Sequence, residues 1–292
     1  MFPPRVKFRL RLPGRSLALG EHTLVMGILN VTPDSFSDGG LYLDTEAAVA
    51  QAMTMEAAGA HIIDVGGEST RPGSAGIPAD EEMRRILPVL KKLRGRIRMP
   101  ISVDTSKAEV AESAADAGAE ILNDVTGLRN DPRLADVARR RKLGLILMHM
   151  RGTPRTMQKR PFAREVIRDL TAGLRHSVTQ ALKAGVSRSQ IVVDPGIGFG
   201  KSHEQNCEII QRLPELAKLG LPLMLGTSRK SFLGTALKPS DGNDRIWGTA
   251  ATVAASVLQG AHIVRVHDVV EMAQVARVAD VLRSPELLRS SR

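Results

Sequence analysis

The sequence predicts a (β/α)8 barrel with a short N-terminal strand or hairpin ahead of it, and three observations carry this. Eight short, β-branched apolar runs alternate with longer helix-like stretches. Four of those stretches end in the same small-residue and glycine form just before the next run. The repeat occupies about 260 residues, the size of one barrel with a helix behind each strand. Continuous apolar runs mark strands buried on both faces, hence parallel and covered by helices. A doubly wound open sheet is the alternative, because alternation alone does not prove closure.

Arg5–Leu12, with alternating charges, and Leu17–Leu19 read as the strand or hairpin before the barrel. Leu24–Leu29 is the first barrel strand, followed by a loop over Val31–Asp44 and a helix over Thr45–Ala58. His61–Val65 leads through Glu68–Pro78 to a helix over Asp80–Leu93. Pro100–Val103, Glu120–Leu122 and Gly144–Met148 come next, backed by helices over Lys107–Ala117, Asp131–Lys142 and Ala163–Ala184. Gln190–Val193, Leu221–Leu225 and His262–Val266 complete the strands, with helices over Glu204–Leu213, Asp244–Gln259 and Asp268–Leu282. Asp44, Thr45, Ser106 and Asp131 stand where side-chain oxygens cap helix starts. Gly59, Gly118, Gly185 and Gly260 stop helices in the left-handed conformation. Thr235–Asn243 is a loop inside one domain, so the chain divides into a basic extension over 1–20, a barrel over 21–283 and a basic tail over 284–292.

Of 292 residues, 42% are hydrophobic and 25% charged, a globular composition that excludes a disordered or fibrous chain. No apolar stretch is long enough for a membrane span, and Met1–Gly20 lacks the apolar core and cleavage site of a secretory signal. The single cysteine, Cys207, forms no internal disulfide, which favours a reducing compartment, the cytoplasm; its helix-like setting reads as core. The net charge of +10 sits largely at the ends: residues 1–20 hold five cations and no acid, and residues 283–292 hold three against one. Those ends read as solvated, and with aromatics at 3% a base-stacking platform is excluded, so nucleic acid is not an expected partner. The mildly positive body suits a small anionic substrate.

In a parallel barrel, chemistry gathers where strands end and the following loops begin. Here the runs end in Asn30, Asp64, Asp104, Asn123 with Asp124, His149 and Asp194, then lead through Thr227 and Ser228 to Arg229 and Lys230, and finally to Arg265 and His267. Any one of these has a plain structural explanation, since an Asp or Asn there often fixes a turn. The strand starts, however, are Thr23, Ala60, Pro100, Ala119, Gly144, Ser189, Pro222 and Ala261, and this asymmetry is functional in character. Asp104, Asn123 and Asp194 offer acceptors and amide donors that fit a flat, amino- and amide-rich heterocycle better than a sugar or lipid. Lys230 adds a donor for a carbonyl or ring nitrogen. Arg71, Arg229, Arg265 and His267 are cations suited to phosphate oxygens. Asn30 is a neutral oxygen ligand of the kind that joins a diphosphate in holding Mg²⁺.

Val31–Asp44 and Glu68–Pro78 read as lids, being long, Gly- and Pro-containing loops in a tightly joined barrel. Two lookalikes fail on spacing. Gly200-Lys201-Ser202 echoes a P-loop whose first glycine would fall on Pro195, and Gly196–Gly200 has GxGxG in place of GxGxxG. Seven His and one Cys show no zinc-ligand spacing.

MGILNVTPDSFSDGG over Met26–Gly40 and DVGGESTRPG over Asp64–Gly73 resemble the two signature segments of the dihydropteroate synthase family. Further similar segments follow in the family's order: SVDTSK from Ser102, NDV from Asn123, MHMRGTP from Met148, DPGIGFGK from Asp194, SRKS from Ser228 and RVHD from Arg265. The resemblance covers roughly residues 20–282, the span of the barrel. It implies a transferase that joins 6-hydroxymethyl-7,8-dihydropterin diphosphate to 4-aminobenzoate in folate synthesis, releasing diphosphate. It places Asp104, Asn123, Asp194, Phe199 and Lys230 at the pterin, and Asn30, Arg71, Arg265 and His267 at the diphosphate, with Asn30 on Mg²⁺. Phe36, Thr70, Pro72 and Ser231 fall where the family holds 4-aminobenzoate and where sulfonamides compete, and Asp34 falls near the reacting carbon. The resemblance also implies a homodimer. Ile197 stands where relatives often carry an aromatic, Trp247 is unusual in its helix, and both bear on packing; Met1–Arg15 has no counterpart.

The implied chemistry is dissociative: diphosphate leaves, the pterin delocalises the cation at its exocyclic methylene, Asp104 and Asp194 stabilise it, and the arylamine attacks under closed lids. Asp34, Arg71, Asp104, Asp194 and Lys230 are the catalytic candidates. Two rivals share the pterin site: a pterin-dependent methyltransferase, which would not need the diphosphate cations, and a non-catalytic pterin-binding paralogue.

Overall fold

The computed structural model describes residues 2–32, 40–69, 73–153, 155–157, 164–237 and 245–288. Two short strands, β1 (Phe8–Leu12) and β2 (Arg15–Leu19), pair antiparallel through the tight turn at Pro13-Gly14. The barrel strands follow: β3 (Leu24–Asn30), β4 (Ile62–Gly66), β5 (Ile101–Asp104), β6 (Ile121–Asp124), β7 (Gly144–Met148), β8 (Ile191–Asp194), β9 (Met224–Leu225) and β10 (Ile263–Val266). Neighbours from β3 to β8 pair in parallel in chain order, and β10 pairs with both β3 and β9. The seam between β8 and β9 is closed by a parallel bridge from Val193 to Leu223 and by the Val193 N–H, which donates to the Pro222 carbonyl at 3.0 Å. The barrel, not the open sheet, is therefore the architecture. β9 is shorter than the run Leu221–Leu225 because Pro222 has no N–H to give the ladder.

The helices α1 (Gly40–Ala57), α2 (Ala79–Leu93), α3 (Ala108–Asp116), α4 (Leu134–Arg141), α5 (Val166–Lys183), α6 (His203–Gln211), α7 (Leu213–Leu216), α8 (Ser231–Ala236), α9 (Ile246–Leu258) and α10 (Val269–Arg283) cover the strands. All four of the predicted glycine stops hold positive φ, between +88° and +108°. Some local readings are corrected. α1 begins at Gly40, so the first loop is shorter than Val31–Asp44 and Thr45 lies inside the helix. α3 is not capped by Ser106: the Ala108 N–H donates to Asp131 Oδ2 at 3.0 Å, a carboxylate from the next βα loop. Asp131 also satisfies an amide ahead of α4, as expected, its Oδ1 accepting the Arg133 N–H at 3.1 Å, and α4 begins at Leu134. Residues 235 and 236 continue α8 instead of opening a loop.

Lys7, Arg9, Arg11 and Arg15 of the basic N-terminus are exposed as expected, but the segment that carries them is packed on the barrel and the Arg5 side chain is buried. Leu10, Leu12 and Leu19 of the hairpin pack against Leu24, Met26, Ile62, Ile121, Ile146, Val192, Met224 and Ile263, sealing the floor of the barrel. Arg5 is buried and donates to Asp280 Oδ1 at 2.8 Å, to Thr23 Oγ1 and to the carbonyls of Gly20 and Ala261. Cys207 is exposed on α6 and not core. Trp247 is 78% exposed, so it does not serve the packing of this chain. Among the described residues no helix is long and apolar enough to cross a membrane.

Candidate active site

Strand periodicity builds the site. Side chains two apart share a face, so Ile62, Asp64 and Gly66 on β4 point into the barrel in rising layers. Ile62, Ile121, Ile146, Val192 and Ile263 form the apolar floor. Two residues further along the same strands stand Asp64, Asn123, Met148, Asp194 and Arg265, and the interior becomes polar at that layer. Register then sets Asn30 beside Gly66, Gly66 beside Asp104, and Asp104 beside Asn123. Gly66 leaves room there: a Cβ on it would lie 3.5 Å from the Asp104 side chain and 3.9 Å from Asn30 Oδ1.

Arg265 ties the mouth together. Its Nε donates to Asp64 Oδ2 at 2.6 Å and its Nη2 to Asp104 Oδ2 at 2.8 Å, while Asn123 Nδ2 donates to the same Asp64 oxygen at 2.9 Å. Asp64 is fully buried, and its Oδ1, Ser102 Oγ and Asn123 Oδ1 are buried polar atoms without a hydrogen-bond partner. Such orphans are costly in an interior unless a ligand or water meets them. Burial pushes the Asp104 carboxyl up to about 7 against the pull of Arg265. Burial likewise pushes Asp194 up to about 6, opposed by the Gly196 N–H, which donates to Asp194 Oδ1 at 2.6 Å, and by Lys230. Lys230 is lowered to about 8, by burial and then by Arg265. Its ammonium lies 4.0 Å from the centre of the Phe199 ring, a cation–π contact that supports the charge from below.

Around the rim, Ser228 fixes His267: its Oγ lies 3.0 Å from His267 Nδ1 and accepts the His267 backbone N–H at 3.2 Å. Burial and then the nearby Arg265 and Arg229 lower His267 to about 4, so it is a neutral imidazole at pH 7 and not the cation expected from the sequence. Arg229, at φ +56°, turns outward and pairs with Asp268, so its guanidinium is engaged on the rim. Ser231 is exposed at the start of α8, immediately after Lys230. Asn30 is half-buried and its side chain has no hydrogen-bond partner among the described residues. Asp34, Phe36, Thr70, Arg71 and Pro72 lie outside the described residues.

The mouth thus brings Asp104, Asn123, Asp194, Phe199, Lys230 and Arg265 together, with Asn30 on a neighbouring strand end. It can accept from several N–H groups of a flat ring, donate to a ring carbonyl, and present cationic charge beside an anion. Sequence reasoning named Asp64 among the polar strand ends without giving it a role, and it missed Ser102 as a site member. The signal was available, since Asp64 and Ser102 share strand faces with Gly66 and Asp104.

Residues 26–267 match the model of the pterin binding enzyme family. A dihydropteroate synthase of Synechocystis is 48% identical over 253 residues, covering 87% of this chain and 88% of that protein. The crystal structure of dihydropteroate synthase from Clostridium difficile in the presence of pteroic acid superposes with a TM-score of 0.84 at 44% identity, covering 90% of this chain and 98% of that one. The enzyme from Xanthomonas albilineans in complex with 7,8-dihydropteroate superposes with a TM-score of 0.82 at 36% identity, covering 94% of this chain and 99% of that one.

Proposed function

This chain belongs to the dihydropteroate synthase family of pterin-binding enzymes and is a transferase, and from that premise we propose how its barrel mouth joins 6-hydroxymethyl-7,8-dihydropterin diphosphate to 4-aminobenzoate. The observation that supports the assignment of residues is the set of orphaned buried polar atoms, Asn123 Oδ1, Asp64 Oδ1 and Ser102 Oγ, in a mouth where Arg265 bridges Asp64 and Asp104. A pterin edge carries the N–H groups that would meet such acceptors, and Lys230 would donate to the ring carbonyl. The bond from the exocyclic methylene to the diphosphate oxygen breaks first, and the electron-rich ring spreads the resulting positive charge. Asp104 and Asp194 stabilise that charge through fixed carboxylates in a water-poor site. The arylamine nitrogen then forms the new C–N bond and sheds one proton to solvent or to the departing diphosphate.

Asn30, Arg71, Arg265 and the neutral His267 take the diphosphate, His267 as a hydrogen-bond donor. Phe36, Thr70, Pro72 and Ser231 are assigned to 4-aminobenzoate, and Asp34 to the reacting carbon, on the family resemblance of their segments. The residues present fit Mg²⁺: Asn30 offers a neutral oxygen that has no hydrogen-bond partner among the described residues, and a diphosphate and water would supply the other oxygen ligands. When bound, Mg²⁺ neutralises charge on the leaving oxygens. The exposed Trp247 on α9 and Val270, Val278 and Leu282 on α10 support a homodimer through these two packed helices. The single cysteine supports a cytoplasmic location.

The test is turnover of purified chain with both substrates and Mg²⁺, following 7,8-dihydropteroate and diphosphate together. Stoichiometric formation of both is expected. Pterin binding without turnover would leave a non-catalytic paralogue, and methyl transfer to or from the pterin would favour the rival barrel enzyme. Arg71→Ala is expected to slow the chemical step about a hundredfold, the cost of removing one charge-stabilising donor.

A further inference from the structure

Lys201 has no part in the chemistry above, yet it is the most deeply placed cation beside the mouth. It lies in the loop that follows β8 and is 3% exposed. Its ammonium donates to three backbone carbonyls, those of His149 at 3.0 Å, Gly196 at 2.9 Å and Phe199 at 2.9 Å, which uses all three of its protons. All three acceptors are uncharged carbonyls, so the grip is on backbone shape and not on a counter-ion.

The segment so gripped cannot take another course easily. Gly196 holds φ +68°, and a Cβ on it would fall 2.1 Å from the His149 carbonyl oxygen. The Phe199 N–H closes the turn by donating to the Gly196 carbonyl at 3.1 Å. This turn delivers two things to the mouth. One is the Gly196 N–H on Asp194 Oδ1, and the other is the Phe199 ring beneath the Lys230 ammonium.

We propose that Lys201 is a positioning residue for pterin recognition: its ammonium, clamped by the carbonyls of His149, Gly196 and Phe199, holds the glycine turn that aims Asp194 and Lys230 at the ring. The inference rests on the functional reading above. It accounts for a cation where a P-loop lookalike had to be rejected, because this lysine faces carbonyls and not phosphate. A filler role would be served by an apolar side chain, since burial drives this ammonium down to about 7 and makes charge there unfavourable without purpose-built acceptors.

The experiment compares wild type, Lys201→Met, Lys201→Gln and Phe199→Leu in steady-state kinetics with both substrates, beside thermal unfolding of each. Lys201→Met is expected to raise KM for the pterin diphosphate about tenfold or more, the loss of charged hydrogen bonds. KM for 4-aminobenzoate should move by less than about twofold, and Lys201→Gln, which keeps two donors, should lie between. Lys201→Met combined with Phe199→Leu should cost less than the product of the single effects, because both act through one turn. Equal rises in both KM values, or an unchanged pterin KM with lowered thermal stability, overturns the proposal. Should Lys201→Met fail to fold, Lys201→Gln decides, and a pterin KM within about twofold of wild type overturns it. Wild type that does not bind the pterin overturns the functional reading as well, whereas a normal wild type beside an unaffected variant overturns this inference alone.

Discussion

At the residue scale, the mouth is a set of opposed charges whose protonation states set the working range. Ionised carboxylates accept ring N–H groups more strongly and stabilise the developing positive charge, so activity should rise with pH through the region of about 6 for Asp194 and about 7 for Asp104. Lys230 donates best as ammonium, so activity should fall as pH passes about 8. The profile of kcat/KM, which reports the free enzyme, is therefore expected to be bell-shaped between these limits. Flat kcat/KM from pH 5.5 to 9 would remove these groups from recognition. Arg265 is the residue that holds Asp104 down, and its two arms reach two different carboxylates. Arg265→Met should cut kcat/KM by about a hundredfold and move the acid limb upward. Arg265→Lys should restore little, because a point charge cannot reproduce a fork that spans both acids.

At the element scale, the βα loops do the positioning and the strands supply the frame. The turn after β8 is the clearest case, and glycine is required there for space as well as for φ. Gly196 and Gly14 share nearly the same φ, +68° and +74°, but a Cβ on Gly14 meets nothing within 4 Å. Gly14→Ala should cost about 1 kcal/mol, the left-handed penalty alone. Gly196→Ala should cost about 3 kcal/mol or more and also weaken pterin binding, since the carbonyl in its way belongs to β7's end. Urea denaturation of the two variants measures the contrast, and equal costs would mean that the turn relaxes freely. The cap on α3 follows the same rule of borrowed partners: Asp131 reaches from the following loop to the Ala108 N–H, so α3 and that loop are set together.

At the scale of the whole molecule, the hairpin of β1 and β2 is the barrel's floor and Arg5 is its anchor. The Arg5–Asp280 pair joins the first turn of chain to α10 with both side chains nearly inaccessible. Removing one member of a buried pair leaves the other charge unpaired, so Arg5→Ala should cost about 3 kcal/mol in urea denaturation. A loss below about 0.5 kcal/mol, the usual size for a surface residue, would return the extension to the role of a solvated arm. The proposed dimer would cover the exposed Trp247: sedimentation should then give a dimer for the wild type and a monomer for Trp247→Asp, and a monomeric wild type would overturn the contact through α9 and α10.

Much of this protein could be read from residues a few positions apart. Strand placement came from apolar runs such as Gly144–Met148, helix stops from single glycines, and the functional end of the barrel from polar residues like Asp104, Asn123 and Asp194 at strand ends. These are local properties, set by backbone conformation and a period of two, and tertiary packing has little freedom to alter them. The pairing of charges was not legible in that way. Arg265 meets Asp64 across 201 residues and Asp104 across 161, Arg5 meets Asp280 across 275, and Lys201 reaches the His149 carbonyl across 52. Nor did His267 announce itself as neutral, since that depends on burial beside Arg265 and Arg229. Which ions are paired, buried or left open is decided only when the barrel closes, because the energy of a charge depends on what surrounds it in space and not on its neighbours along the chain.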